Sequence, residues 1–442
     1  MINFIFNLSK LIAFSFYLKR RKENIINKDY ELLKKYINNC GCICIKCCQW
    51  IIPLLEKEKF NNDLLNKLSD VYENNYIHDI KYTEYIYEKH FDKKVYYNYK
   101  IIEVLGSGSI ALVYKLQDLN TGNYYVMKVK HPNIKKQISL LKNILKIIYK
   151  IKYFNKFFYN YFPFNLIDFV EDFNKQTDLI NECNNLLTFY NYYKNNEYII
   201  IPKLIKSSED LIIMEYIEGT CIDSMKIREY EKGKIIYLLY LFVRNNMIIL
   251  NNNHGDLHKC NWKVSNDKIK NIHKIIIYDF GYCFKNNKEE YENVLSVCNL
   301  LQTYDKNNLD KIKQYDSFLK FLFNLDNIKI NLDFDRNIVK PDILLKHVLD
   351  ISNNNNIIIN RYKILNILLL MCLIDKYIQK YNITVGPTNK IKHNLLNTYT
   401  FCEYHDIFKE LSEEILIEYN GLPHATEIFE TIKFSDKIKS LI

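Results

Sequence analysis

Arginine, glycine and proline are scarce in this chain, and tryptophan is almost absent. Of the 61 basic residues only six are Arg, and the Lys residues are dispersed among 51 acidic ones without a long basic stripe. The net charge of +10 therefore does not read as a nucleic-acid surface. Glycine occurs ten times and proline seven times in 442 residues, so each glycine-bearing turn carries information. Long apolar runs are also missing. The N-terminal "MINFIFNLSKLIAFSFYLKRRK" is mostly apolar over residues 2–18, but Lys10 interrupts it and a basic cluster, Lys19 to Lys22, follows. Seventeen residues is the short limit for a bilayer span, and a central Lys costs about 3 kcal/mol on insertion. An interfacial helix, a targeting leader and a short span all stay open for residues 1–22. The later run "ILNILLLMCLI", Ile364 to Ile374, is short for a span and reads as the buried core of a lobe. No secreted disulfide framework is evident in the twelve cysteines, and no internal repeat is visible. Five cysteines cluster in "CGCICIKCC", Cys40 to Cys48, but no second C-x-x-C or C-x-x-H pair accompanies Cys44 and Cys47. Reduced thiols on a packed helix fit better than a metal cluster.

What the chain does have is apolar residues, at 48%, and aromatics, at 14%. That suffices for a packed core in two or three lobes. Residues 23–98 carry apolar positions at helical spacing, as in "LLNKLSDVY", Leu64 to Tyr72, and read as a helical extension. From Tyr99 the pattern changes to alternating runs separated by a glycine turn and by "NTGN", Asn120 to Asn123, a hairpin signal. Residues 133–200 look helical; Asp210–Tyr216 reads as a buried strand and 225–252 as helix. Lys274–Tyr282 reads as a short apolar strand ending in a glycine turn. From Lys285 onward the pattern is mostly helical, with a polar loop at Asn353–Asn356. The expected domains are thus the extension (23–98), a sheet-bearing lobe with a helical insertion (99–220) and a helical lobe (221–442).

The chemistry-bearing residues occur in a telling order. In "LGSGSIALVYK", Gly106, Ser107, Gly108 and Ser109 form a turn between strands whose N–H groups can approach phosphate oxygens. Twenty residues after Gly108, "YVMKVK" puts Lys128 on an apolar strand, where an ammonium needs a partner. In the kinase arrangement that Lys reaches the α- and β-phosphates and pairs with a helix Glu. Glu182, in "QTDLINECNN", is the candidate partner, 54 residues on. In "HGDLHKCN", Asp256 and Asn261 are five apart, the spacing of a kinase catalytic loop. A carboxylate there can orient or deprotonate an attacking hydroxyl or water, and an Asn oxygen five on can ligate Mg²⁺. Asp279 in "YDFG" ends an apolar strand, where it suits a metal that bridges phosphates. His254 and His258 read as braces of the loop. The order of these groups points to nucleotide binding.

No A-P-E follows the Asp-Phe-Gly, and Gly255 stands where a protein kinase has Arg, which argues against an ordinary protein kinase. "HGDLH…N" resembles small-molecule phosphotransferases of the aminoglycoside and choline kinase kind, and also the UbiB-type (aarF-domain) atypical kinases linked to coenzyme Q. "CIKCCQW" looks like the UbiB family's K-x-G-Q motif, with Lys46 and Gln49 in place. "QTDLINECNN" resembles its E-x-D-x-x-x-E-x-x-N, with Asp178, Glu182 and Asn185 matching. "VKHPNI" and "IIMEYIEG" look like its post-lysine turn and hinge. The resemblance covers roughly residues 40–290. It departs at Cys48 for the motif's glycine, Gln176 for the first Glu, Leu112 for the usual Gln, and glycines where many members carry Ala. The resemblance implies an α+β, bilobal protein-kinase-like fold with a small β-containing N-lobe, a helical C-lobe and a helical N-terminal extension over the site. It implies an ATP- and Mg²⁺-dependent kinase or ATPase tied to membranes and isoprenoid quinone lipids, mitochondrial in a eukaryote. Met214, Glu215 and Ile217 would then line the adenine side, and Lys46, Gln49 and Asp178 would regulate through the extension. A small-molecule phosphotransferase and a nucleotide-binding scaffold without useful turnover are the alternatives.

Overall fold

The computed structural model describes residues 2–21, 27–42, 44–46, 76–150, 164–196, 198–267, 272–302, 309–325, 341–355 and 357–380. These fall into two compact units. The first is drawn from Met1–Ile151, Ile167–Leu187 and Pro202–Ile217, the second from Lys152–Leu166, Thr188–Ile201 and Glu218–Ile442.

The first unit begins with helices α1 (Ile2–Arg21) and α2 (Asn27–Asn39). They run antiparallel: Asn7 Nδ2 donates to the Asn39 carbonyl at 3.1 Å, and the Phe14 and Tyr36 rings meet edge-on at 5.3 Å. Among the described residues no helix is long and apolar enough to cross a membrane. Helix α3 (Ile80–Phe91) is started by Asp79, whose carboxylate accepts the Lys81 N–H, and ends at Asp92 in a left-handed conformation. Strands β1 (Tyr99–Ser107), β2 (Ala111–Asp118) and β3 (Tyr124–Lys130) follow as a meander. The expected hairpin turn is present, with Gly122 at φ +74° and the Asp118 carboxylate accepting the Asn120 and Thr121 N–H groups.

Helices α4 (Ile134–Ile148), α5 (Leu166–Gln176) and α6 (Leu179–Tyr193) come next, then the short strand β4 (Ile199–Ile200), β5 (Leu204–Ser207) and β6 (Leu211–Glu215). The insertion read as helical across 133–200 is therefore helical at three places and closes in a strand, with residues 151–163 outside the described set. The five-stranded antiparallel sheet has the order β1-β2-β3-β6-β5. Its core takes Leu112 and Leu116 of β2, Met127 and Val129 of β3, and Leu211 and Ile213 of β6, packed with Ile86 and Tyr87 of α3. Each such side chain contributes about 1.5–3 kcal/mol by leaving water. Because strand side chains alternate, this core turns Lys128 and Lys130 to the opposite face. Leu112, the departure from the family's Gln, is fully buried in that core.

The second unit holds α7 (Glu229–Arg244), which runs on into a π-helical turn, Asn245–Ile249. Then come β7 (Asn253–His254), β8 (Trp262–Asp267), β9 (Ile272–Ile277) and β10 (Cys283–Phe284). Among the described residues, helices α8 (Lys288–Gln302), α9 (Leu309–Phe323), α10 (Pro341–Asn355) and α11 (Tyr362–Lys380) follow. β9 pairs with β4 in parallel and with β8 antiparallel, while β10 pairs with β7. Strand β8 has no counterpart in the sequence reading. Only Trp262 and Val264 mark its buried face before the pattern turns polar, too short an alternation to stand out. The run Ile364–Ile374 lies within α11, where Leu365, Leu368, Met371 and Ile374 are buried as expected of a lobe core. The polar loop expected at Asn353–Asn356 is instead, through Asn355, the last turn of α10. There the Asn355 amide donates to the Ile351 carbonyl at 2.9 Å.

Candidate active site

In the first unit, the register of β3 places Lys128 opposite Val113 on one side and Ile212 on the other. Its ammonium lies 2.7 and 2.9 Å from the two carboxylate oxygens of Glu182 on α6. Lys128 is 8% exposed and Glu182 is 3% exposed. Neither charge could stay ionised in that setting without the other. Asp178 sits just before α6 and caps it, its carboxylate accepting the Ile180 N–H at 3.0 Å while its carbonyl takes the Glu182 N–H at 3.2 Å. The cap fixes the turn that carries Glu182.

The glycine turn joins β1 to β2. Gly106 faces Val113 across a β-bulge, and the Gly108 N–H donates to the Ala111 carbonyl at 3.0 Å. A Cβ on Gly108 would meet nothing closer than that same carbonyl at 3.9 Å, so neither backbone nor packing demands glycine there. Ser107, expected among the phosphate-binding residues, points its hydroxyl inward and donates to the Tyr76 carbonyl at 2.6 Å, so the strand end offers backbone rather than hydroxyl. Ser109 is also buried. In β6, Met214 is buried. Glu215 is exposed, and its N–H donates to the Lys203 carbonyl at 2.9 Å. Ile217 is half-buried two residues on.

Of the extension motif, Lys46 is buried at 7% exposure, whereas Gln49 lies outside the described residues, as does Leu64–Tyr72. Cys40, Cys42 and Cys44 are buried free thiols, and Cys47 and Cys48 lie outside the described residues. Cys42 donates to the Gln137 side chain on α4 at 3.3 Å, and Gly41, at φ +81°, leaves room for that side chain. Among the described residues a different acidic cluster, His90, Glu209 and Asp210, has metal-ligand spacing. Its Asp210 already faces Lys130 at 2.9 Å, His90 at 3.1 Å and Lys89 at 3.7 Å, so a cation would have to displace an ammonium.

In the second unit the catalytic-loop sequence is tightly tied down. His254 is 2% exposed, and its Nε2 lies 3.1 Å from the Tyr278 carbonyl. A carbonyl only accepts, so Nε2 carries the proton and Nδ1 accepts the Asp256 N–H at 3.4 Å. Burial pushes His254 below the ordinary histidine range, which keeps it neutral. His258 Nδ1 accepts the Cys260 N–H at 3.3 Å. Both histidines thus brace the loop. Asn261 donates from Nδ2 to the Asp256 carbonyl at 2.7 Å, which orients its Oδ1 as the oxygen donor. The Asn261 carbonyl takes the Tyr278 N–H at 2.8 Å, one step beyond the Trp262–Ile277 pair of the β8–β9 ladder. That step brings Asn261 and Asp279 to the same end of the hairpin.

Asp279 holds φ +54°, a left-handed conformation that costs a non-glycine residue of order 1 kcal/mol, and its carboxylate accepts the Gly281 N–H at 3.2 Å. An Asn oxygen and a carboxylate brought to one end of a hairpin are a donor set that suits a hard cation such as Mg²⁺. Phe280 is buried, 5.1 Å from the Phe189 ring and 5.3 Å from the His254 ring.

Sequence reading missed one further member of this half. The Gly255 N–H donates to the Tyr282 carbonyl at 2.8 Å, and a Cβ on Gly255 would lie 2.5 Å from the Tyr282 ring. The Tyr282 hydroxyl is in turn hydrogen-bonded by Asn366 of α11. Glycine is thus required where a protein kinase carries Arg. The departure at Gly255 was legible, but its cause lies 27 and 111 residues away.

Comparison with known proteins agrees with the resemblance. A family model described as the ABC1 atypical kinase-like domain matches residues 74–315. The chain is 26% identical over 253 residues to the probable serine/threonine-protein kinase abkC of Dictyostelium discoideum, across 55% of this chain and 36% of that protein. It thus spans about a third of that relative's length. Among solved structures it is similar to Rv3197 of Mycobacterium tuberculosis, determined in complex with erythromycin, at 17% identity and TM-score 0.42, covering 61% of this chain and 66% of that one. The fold is α+β and kinase-like, with a small sheet region and many helices. The chain belongs to the ABC1 atypical kinase-like family, the UbiB/aarF group.

Proposed function

We propose that this protein is an ATP- and Mg²⁺-dependent atypical kinase or ATPase acting beside membrane or isoprenoid quinone lipids. The observation that carries the reading is the buried, two-pronged Lys128–Glu182 pair, made by residues 54 apart in sequence. A structural ion pair is seldom worth its desolvation in a core, whereas a phosphate-binding ammonium needs a carboxylate that fixes it in place.

In this reading Lys128 takes the α- and β-phosphates and Glu182 orients it. The N–H groups of residues 106–109 lie against phosphate oxygens, and Met214, Glu215 and Ile217 line the adenine. Asn261 and Asp279 would hold Mg²⁺, which supplies charge neutralisation to the phosphates when bound. Asp256 accepts the proton of an acceptor hydroxyl, or orients water, from a loop locked by His254 and His258. The lipid setting is supported by the family resemblance and by the mostly apolar α1. Lys46, Gln49 and Asp178 are the residues through which the extension would act.

The test is ATP hydrolysis and phosphotransfer by the full-length purified chain, with and without quinone-like lipid in vesicles, beside Asp279→Asn. Turnover that depends on Mg²⁺ and falls at least a hundredfold in Asp279→Asn supports the reading. Nucleotide-dependent thermal stabilisation without phosphate release, lipid present, would instead identify a binding scaffold.

A further inference from the structure

Beneath the glycine turn lies a buried chain of polar groups, all within the first unit, that the functional reading leaves unassigned. His131 follows β3 directly. Its backbone N–H donates to the Ile110 carbonyl at 2.9 Å, and its Nε2 lies 3.2 Å from the Gly108 carbonyl. One residue therefore grips both arms of the turn 108–111. Its Nδ1 is 2.9 Å from Nδ1 of His78. Nε2 of His78 is 2.9 Å from the Thr83 hydroxyl, which is 2.9 Å from the Tyr114 hydroxyl. His78, Thr83, Tyr114 and His131 are all buried.

The direction of every proton in this chain follows from its last member. The Gly108 carbonyl can only accept, so His131 carries its proton on Nε2. Burial pushes both imidazoles down to about 4, so both are neutral at pH 7. His131 Nδ1 is then an acceptor, and His78 must donate to it from its own Nδ1. That leaves His78 Nε2 as an acceptor, so Thr83 donates to it and Tyr114 donates to Thr83. Ser107 fits the same order. Its proton goes to the Tyr76 carbonyl, and its oxygen is 3.4 Å from His131 Nε2, where it can share that N–H. A single alternative tautomer at either histidine would set two N–H groups, or two lone pairs, face to face.

We infer that His131 is a positioning residue for the glycine turn. Held by His78 in the one tautomer that donates to Gly108, it fixes the orientation of the peptide units that would face a nucleotide phosphate. The inference rests on the nucleotide reading above for its function, whereas the hydrogen-bond order stands on the geometry of two buried, neutral imidazoles. A loop left to choose its own peptide orientations loses affinity by about one hydrogen bond, roughly tenfold. The Lys128–Glu182 pair lies outside this chain, so the loss should fall on nucleotide binding before chemistry.

Two measurements on the full-length protein test it. Nitrogen NMR of the ¹⁵N-histidine protein at pH 7 should find His131 protonated on Nε2 and His78 on Nδ1, with coupling across the N–H···N bond. The opposite tautomers, or a charged imidazole in either, overturn the order. In ATP binding and turnover, His131→Leu should raise Kd and KM for Mg-ATP about tenfold and lower kcat less than threefold. His131→Gln, whose amide can still donate to Gly108, should recover most of the affinity. A His131→Leu protein that folds and binds ATP within twofold of wild type overturns the positioning role and leaves the nucleotide reading intact. A wild-type protein with no ATP affinity overturns both.

Discussion

The Tyr278 N–H donates to the Asn261 carbonyl at 2.8 Å, extending the β8–β9 ladder by one step. Residues opposed in such a ladder have Cα atoms about 4.5–5.5 Å apart, so backbone pairing sets Asn261 opposite Tyr278, and Asp279, the other proposed metal-holding residue, follows next along the chain. Asn261→Ala keeps the ladder but removes the amide that ties Asp256. We expect the Mg²⁺ concentration for half-maximal ATP turnover to rise at least tenfold and stability to fall by about 1 kcal/mol, read by Mg²⁺ titration and urea unfolding. Unchanged metal dependence would remove Asn261 from the metal site.

Lys128 and Glu182 stabilise each other only as a pair. Lys128→Ala leaves a carboxylate that is 3% exposed without its ammonium, and should cost about 3–5 kcal/mol. The double variant Lys128→Met/Glu182→Leu replaces both by apolar groups of similar size and should recover most of that loss while remaining inactive. Denaturant unfolding of the two proteins separates the effects. A double variant as unstable as the single one would show that packing, not unpaired charge, sets the cost.

Gly255→Ala drives a Cβ to 2.5 Å from the Tyr282 ring, and Tyr282 is held by its bond from Asn366. The expected cost is about 1–3 kcal/mol in thermal or urea unfolding. Restoring the protein-kinase Arg at this position should be worse still.

Gly108 differs from Gly255. Its Cβ would find ordinary van der Waals space, so Gly108→Ala should change stability by less than about 1 kcal/mol, with reduced unfolded-state freedom tending to stabilise. Nucleotide affinity should nonetheless fall, because the added methyl lies on the turn that would approach phosphate. Unfolding midpoints beside ATP titrations check both halves of this expectation.

His78 and His131 titrate near 4 in the folded protein against about 6.5 when unfolded. Between those values the unfolded chain binds protons that the folded one refuses. Stability from the neutral pair is therefore complete above pH 6.5 and is lost as pH falls toward 4. Urea midpoints should drop steeply across that range in wild type and less steeply in His131→Gln. Equal slopes would show that the pair does not govern the acid limb.

The sequence by itself determined the kinase-like class and the order of its chemical groups. It did so because spacing along the chain survives folding: Asp256 and Asn261 share one loop, and Lys128 sits on an alternating strand. The glycine turn and the buried α11 were legible for the same reason, since local periodicity and turn chemistry are properties of neighbours. Tertiary structure alone decided which distant groups meet. Strand β8 was invisible because its alternation is too short, yet its pairing with β9 brings Asn261 and Asp279 to the same end of one hairpin. The need for glycine at 255 came from Tyr282, and the tautomer of His131 came from the Gly108 carbonyl, both contacts that no local pattern encodes. Hydrogen-bond direction and steric exclusion belong to pairs of atoms, and pairs distant in sequence exist only once the chain has folded.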